Sequence, residues 1–253
     1  MNEATHTAKE PATPLYPLDQ TEISVEIKAG NAVLGHKLTR PTLAQLVERE
    51  GQIHYESESI SDSEERINSD DEAANARLWD GCAVMVRGYR LGKADATPLA
   101  EWRELTPELK AAIPSAHKAT AIRAMYQSAC EIEKDEDEGF TLGADEWTVK
   151  QIFGDPENPQ FVIRHILRTP AESERREFKR RAAQISFSKG ARKQKTRVTT
   201  NLKAHVELYD GLLTGLDGTN NQDAHAAKVV IDPIWKRQVI DCLMRSFEAS
   251  TQD

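Results

Sequence analysis

The feature that most constrains this chain is an internal repeat, because a repeat decides how many folding units the chain contains. Three short segments recur in the same order about 130 positions later: HKLTRP (residues 36–41) as HILRTP (165–170), QIHY (52–55) as QISF (184–187), and LWDG (78–81) as LYDG (208–211). Further along, Lys118 and Ile122 match Lys236 and Ile240 at a spacing of 118. We predict a tandem duplication; the alternative is two unrelated halves that share helix-start patterns.

A chain of 253 residues is long enough for two such units. Between them, residues 134–139 (KDEDEG) form a dense run of mostly acidic charge, which is typical of a solvated linker. The predicted organisation is a flexible N-terminal segment (1–20), a first repeat domain (21–133), an acidic linker (134–145) and a second repeat domain (146–250).

Hydrophobic periodicity in the first copy predicts both strands and helices. Ile23, Val25 and Ile27 alternate with polar residues, as in a half-buried strand, and residues 33–38 can return as a second strand after a turn at Gly30. The other predicted elements of this copy are a helix from Pro41 to Gly51, a strand at 52–58, and helices at 73–87 and 114–132.

The second copy repeats this plan, with strands near residues 147–151, 161–166 and 184–188 and helices at 171–183, 201–216 and 234–247. The predicted fold class is therefore α+β. It consists of two tandem, internally duplicated small domains, each with a short β-hairpin or sheet, about three helices and a charged arm.

The net charge of −8 conceals opposite charges at equivalent places in the two copies: residues 1–140 carry a net charge of −11 and residues 141–253 carry +3. The acidic arm (residues 56–72) contains the candidate interaction residues Glu56, Glu58, Asp62, Glu64, Glu65, Asp70, Asp71 and Glu72. The basic arm (residues 184–203) has no acid, alternates like a long hairpin, and contains the candidate interaction residues Lys189, Arg192, Lys193, Lys195 and Arg197.

Three interpretations of the arms remain open. They can be solvated surfaces that keep the protein soluble. The basic arm can dock on an acidic arm, within one chain or between copies, and in the second case a head-to-tail contact builds rings or filaments. The basic stretch at residues 175–203 can instead neutralise phosphates of a nucleic acid.

Catalytic and membrane signals are missing from the sequence. It contains no phosphate-binding glycine loop, no Gly-x-Ser-x-Gly elbow and no His-Glu-x-x-His motif. Cys82, Cys130 and Cys242 lie too far apart for a cysteine zinc site or a disulfide framework, and no apolar run approaches the roughly 18–20 residues of a membrane span. We expect no enzyme, no catalytic or metal-binding residue, no cofactor and no membrane partner.

Residues 23–38 with Pro41 and Thr42, echoed by residues 161–167 with Pro170, form two strands around a glycine turn followed by a helix start. This unit resembles small α+β proteins of tailed-phage morphogenesis, of which tail assembly chaperones are the nearest case. The resemblance covers about a fifth of the chain. It implies a non-catalytic protein that contacts itself or other particle proteins during virion or tail assembly, in the cytoplasm of a bacterial host or in the virion.

Overall fold

The computed structural model describes residues 14–61, 64–90, 92, 98–133, 145–189, 194–220 and 223–249, and for residues 54–70, 183–200 and 248–249 it describes the backbone alone. The elements of the first half are β1 (Glu22–Ala29), β2 (Ala32–Thr39), α1 (Leu43–Gln52), β3 (His54–Ser61), β4 (Glu64–Asp70), α2 (Glu72–Cys82), β5 (Ala83–Arg87), β6 (Arg103–Glu104), α3 (Pro107–Ala112), α4 (Ser115–Met125) and β7 (Ala129–Ile132).

The second half follows the same order, apart from the short strands β6 and β7. Its elements are β8 (Glu146–Asp155), β9 (Asn158–Arg168), α5 (Glu172–Ala182), β10 (Ala183–Lys189), β11 (Gln194–Thr200), α6 (Leu202–Leu212), β12 (Leu213–Asp217), α7 (Ala224–Val230) and α8 (Pro233–Ala249). Each half thus contributes a hairpin, a helix, a second hairpin, a helix, a strand and two further helices. The predicted α+β class, with two sheet-plus-helix halves, is confirmed.

The described strands form three antiparallel sheets of four strands each. The sheet of the first half has the order β1-β2-β5-β6, and that of the second half has the order β7-β8-β9-β12. The third sheet, β10-β11-β3-β4, takes one hairpin from each half. The two halves are therefore joined by a sheet that neither could complete alone.

Alternating burial along the strands explains why helices cover one face of each half's own sheet. In β1, Val25 and Ile27 are buried, whereas Ser24, Glu26 and Lys28 are exposed. This is the period-2 pattern of a strand with one face on the core. Helix α4 packs on that inner face, and the buried apolar side chains of both halves belong to one continuous cluster.

Two predicted helices end sooner than their apolar pattern indicates. The predicted helix at 73–87 is α2 followed directly by β5, and the predicted helix at 201–216 is α6 followed directly by β12. At both junctions the backbone changes to extended dihedrals, at Ala83 and at Leu213. Short apolar runs suit either structure, and pairing with β2 or β9 selects the strand.

The strand β7 lies where the prediction placed the end of a helix at 114–132. It falls inside the predicted first domain, but it pairs antiparallel with β8 of the second half. The boundary between the two sheets therefore lies before residue 129, and not at the acidic linker, whose residues 134–144 lie outside the described part of the chain.

The described part of the predicted flexible N-terminal segment, residues 14–20, is packed on the second half. Tyr16 forms a parallel bridge with Thr219, and its ring stacks on Phe153 at 5.4 Å and meets Trp235 edge-on at 5.2 Å. Leu18 is only 2% exposed. An aromatic cluster holds this segment, so the expectation of flexibility is wrong for residues 14–20.

The packing of β2 predicts a clear contrast between two positions on the same strand. Leu38 is fully buried, so Leu38→Ala leaves a cavity and should lower the free energy of unfolding by about 2–5 kcal/mol. Val33 is 53% exposed, and Val33→Ala should stay within about 0.5 kcal/mol. Urea denaturation of the two variants measures the difference; equal losses would contradict the described core.

Candidate functional site

The two charged arms meet within one chain. The acidic arm forms the hairpin β3–β4 and the basic arm forms the hairpin β10–β11. The two hairpins join where β11 runs antiparallel to β3, with Arg197 opposite Glu56 and Thr196 opposite Ser57. We call this four-stranded unit the hairpin sheet. Its central pair brings a basic and an acidic strand together, so no second copy is needed to pair them.

The register of the hairpin sheet places five apolar positions on one face. Residues opposite each other across neighbouring strands share a face, and alternate residues lie on opposite faces. One face carries the apolar positions Tyr55, Ile67, Ile185, Phe187 and Val198, and also the charged positions Glu65 and Lys189 towards the ends of β4 and β10. The other face carries the charged positions Glu56, Glu58, Arg66, Lys195 and Arg197. The hairpin sheet is therefore amphipathic by position.

Most of the predicted interaction residues belong to this sheet. Glu56 and Glu58 lie on β3; Glu64, Glu65 and Asp70 on β4; Lys189 on β10; and Lys195 and Arg197 on β11. Asp62, Arg192 and Lys193 lie outside the described residues. The last two acids of the predicted arm, Asp71 and Glu72, are at the start of α2 instead.

Asp71 has a structural role that differs from the predicted one. Its carboxylate accepts hydrogen bonds from Arg123 on α4 at 2.6 Å and from Asn75 at 2.9 Å. The bond from Arg123, more than any other contact, lowers the pKa of Asp71. Asp71 therefore ties α2 to α4 within the first half and is not a free interaction residue.

A buried lysine paired with a more exposed aspartate occurs at the same place in both halves. Lys118 on α4 lies 2.7 Å from Asp80 at the end of α2, and Lys236 on α8 lies 2.7 Å from Asp210 at the end of α6. Each ammonium also lies above an aromatic ring, at 5.2 Å from the Trp79 ring centre in the first half. The two aspartates, Asp80 and Asp210, occupy the same position in the matching segments LWDG and LYDG. Each half thus neutralises one buried lysine ammonium in the same way.

A buried histidine accompanies each pair. His36 accepts a hydrogen bond from Trp79 Nε1 at 3.1 Å, and His165 Nδ1 lies 2.7 Å from the hydroxyl of Tyr209. Burial lowers the pKa of His36 to about 4 and that of His165 to about 3, so both rings are neutral at pH 7. Their nitrogens are engaged by protein groups, and no cluster of three metal-ligating side chains occurs among the described residues.

Polar contacts between the halves were not indicated by the sequence. Glu50 on α1 is 6% exposed and pairs with Arg237 of α8 at 2.8 Å. Asp232, at the start of α8, accepts a hydrogen bond from Tyr126 of the first half at 3.4 Å. Burial raises the pKa of Asp232 to about 6. No local pattern marks such residues, because each partner lies more than 100 positions away.

Two surface grooves also occupy equivalent places. One lies between α1 and α2, with about 160 Å³, and the other lies between α5 and α6, with about 280 Å³. Gln45 and Glu48 line the first, and Glu174 and Glu177 line the second at matching positions. Both are smaller than the roughly 300 Å³ at which small-molecule sites begin. They suit contact with another polypeptide better than enclosure of a small ligand.

A larger cleft of about 560 Å³ separates the first half from α7 and the start of α8. Its charged lining consists of three cations and three carboxylates: Arg40, Lys228, Lys236, Asp19, Asp210 and Asp232. Lys236 and Asp210 already pair with each other. The cleft therefore has no excess of either charge with which to select an ionic ligand.

Comparison with protein-family models, with curated proteins and with solved structures gives no match to this chain. None of the described helices has the length and apolar character that crossing a membrane requires.

Removing the carboxylate beside a buried lysine should destabilise the protein. Asp80→Ala leaves the Lys118 ammonium without its carboxylate and should cost about 1–3 kcal/mol of unfolding free energy. In a Lys118→Met background the same change should cost less, because no buried charge remains. A double-mutant cycle by urea denaturation measures this, with Glu157→Ala in an exposed turn as the control. Equal costs in both backgrounds would show that the pair does not couple.

Acid should weaken the fold through the two buried histidines. Their pKa values in the folded state lie below 6.5, so below pH 6.5 the unfolded chain takes up protons that the folded chain does not. The free energy of unfolding should therefore fall by roughly 1.4 kcal/mol per pH unit for each histidine as the pH drops from 6.5 towards 4.

Asp232 should oppose this trend. Its pKa is raised to about 6, so between pH 6 and about 4 the folded state binds the proton more tightly than the unfolded state. Asp232→Asn removes that contribution, and the variant should lose stability more steeply than the unmodified protein between pH 6 and pH 4.5. Urea denaturation at several pH values gives both slopes, and parallel slopes would rule out a raised pKa at Asp232.

Proposed function

We propose that this protein is a non-catalytic assembly protein that acts through protein–protein contacts, with the apolar face of the hairpin sheet as its docking surface. One observation carries the proposal: the two halves together build a sheet whose register collects five apolar positions on one face, where Glu65 and Lys189 are the charged positions, and sets oppositely charged residues against each other on the other face. A sheet with one apolar face needs a second layer to cover it.

Helices α5 and α1 contact the hairpin sheet through β10 and β11. The strands of 7 or 8 residues are long enough to extend about 23–27 Å. A partner that lays an apolar sheet or helix face on this surface would complete the second layer.

The charges of the sheet favour a protein over a nucleic acid as the partner. The register sets Arg197 opposite Glu56 and Arg66 opposite Glu58, so acids and cations alternate across the charged face. Opposite charges at facing positions stabilise a sheet and leave little excess positive charge. The apolar face is then the feature that distinguishes this sheet from an ordinary solvated surface.

The basic helix α5 supports the same choice. Its arginines pair with acids that lie near them: Arg175 with Glu172 at 2.5 Å, Arg180 with Glu177 at 2.8 Å and Arg181 with Glu207 at 2.5 Å. The alternative function, phosphate binding through residues 175–203, requires cations that are free to release counterions. Titration with DNA and RNA at low salt separates the two, since salt-sensitive binding is expected of the alternative alone.

The assembly partner is another protein of a phage-like particle or a second copy of this chain. This follows the resemblance of residues 23–38 and 161–167 to phage morphogenesis proteins, and it stays a proposal. The tandem duplication is likewise an inference. It is supported by the repeated order of elements and by the equivalent pairs Lys118–Asp80 and Lys236–Asp210.

A pair of adjacent substitutions on β10 tests the docking face. Phe187→Asp changes the apolar face and Ser186→Asp changes the charged face of the same strand. If the apolar face serves a partner, Phe187→Asp should leave the unfolding free energy of the isolated chain within about 0.5 kcal/mol. It should also reduce self-association or the binding of an apolar dye, while Ser186→Asp should keep both.

Light scattering, dye fluorescence and urea denaturation provide the measurements. A loss of about 3 kcal/mol or more in Phe187→Asp, as for a truncated core aromatic, would mean that the face is covered by the protein itself. That result would overturn the proposed docking surface.

A further inference from the structure

The two halves differ at one edge of their sheets. In the second half, the outer edge of β8 is covered by β7. In the first half, β1 is the terminal strand of its sheet, and no described strand pairs with its outer edge. The two strands are equivalent: Val25 of β1 lies opposite the buried His36, as Val149 of β8 lies opposite the buried His165.

The covered edge shows which kind of strand this position accepts. β7 runs antiparallel to β8 and sets Ile132 opposite Val149 and Cys130 opposite Gln151, on the face that packs against α8. On the outer face, Lys150 pairs with Glu133, just beyond β7, at 2.9 Å. The added strand thus supplies apolar residues inside and a charge of opposite sign outside.

β1 has a sequence that meets both requirements when it pairs with itself. Its inner face carries Ile23, Val25 and Ile27, and its outer residues Glu22 and Lys28 are exposed. In an antiparallel pair centred on Val25, Ile23 lies opposite Ile27 of the second copy. Glu22 then lies opposite Lys28 of the second copy, and the two-fold symmetry repeats both contacts.

We propose that the outer edge of β1 is a self-association site, at which β1 of a second copy of this chain pairs antiparallel about a two-fold axis at Val25. The two sheets become one sheet of eight strands. This contact uses a surface different from the hairpin sheet and does not depend on the proposed function.

The charges select this register over its neighbours. The inner faces of the two copies of β1 coincide only when the two-fold axis passes through a residue, because side chains alternate between the two faces along each strand. An axis at Ser24 sets Glu22 opposite Glu26, and an axis at Glu26 sets that carboxylate opposite its own copy. Like charges directly opposite each other are destabilising. The axis at Val25 pairs residues 22–28 of both copies and sets no like charges opposite each other.

The contact should be weak. A pair of seven-residue strands buries less area than the roughly 1,200–2,000 Å² of a stable interface, so a dissociation constant of about 10–100 µM is expected. An exposed edge of this kind is also where charged residues limit uncontrolled pairing. Glu22, Glu26 and Lys28 would therefore restrict the edge to one partner and one register.

Charge reversal in the full-length chain tests the proposal by sedimentation equilibrium. Lys28→Glu and Glu22→Lys should each weaken dimerisation about 10-fold, because attraction becomes repulsion at two symmetric places. The double variant exchanges the two charges and should return the dissociation constant to within about 3-fold of the original. Glu157→Lys, in the exposed β8–β9 turn, should change it little.

Two outcomes would overturn the site: a monomer at all concentrations up to about 500 µM, or a dimer that neither single reversal weakens. Glu22 also lies 3.7 Å from Lys37 of its own chain, so Glu22→Lys can affect folding as well. Lys28→Glu is then the decisive variant, with its thermal unfolding measured alongside. A mixture of the two single variants should form a dimer more readily than either alone.

Discussion

Burying a lysine ammonium is tolerated only beside a carboxylate, and each half of this protein is arranged around one such pair. Lys118 and Lys236 come from the helix that covers the sheet, and Asp80 and Asp210 come from the end of the helix that precedes β5 or β12. The pair therefore links two helices close to the point where β5 or β12 begins. The neutral histidines and the aromatic rings complete the same cluster.

The charge asymmetry of the chain also has a structural explanation. An acidic and a basic segment at equivalent places look like two separate surfaces in the sequence, but the backbone brings them into one sheet through β11 and β3. The opposite charges then belong to one unit with little net charge. The acids of the predicted acidic arm do not all belong to this sheet. The carboxylate of Asp71 instead holds α2 to α4 by accepting a hydrogen bond from Arg123.

Local patterns gave the features that depend on neighbouring residues. The hairpins β1–β2 and β10–β11, the helix after Pro41 and the long helix α8 follow from alternation, turn residues and helical spacing. Strand pairing, in contrast, depends on distant residues. No local pattern near Ala83 or Leu213 indicates that a strand from elsewhere in the chain pairs there, and apolar runs of five residues fit a helix equally well. The pairing of β7 with β8 and the packing of Tyr16 depend on distant residues for the same reason.

The exchange of segments between the halves has a consequence for how the protein can be made. Two earlier segments, residues 14–20 and β7, form part of the aromatic cluster or the sheet of the second half. A fragment beginning at residue 146 lacks both. During synthesis these early segments leave the ribosome long before the residues with which they pair, so they lack these partners until the second half has been made. The sequence must therefore also limit non-native contacts of residues 14–20 and β7 during that interval, a requirement that the folded structure does not show.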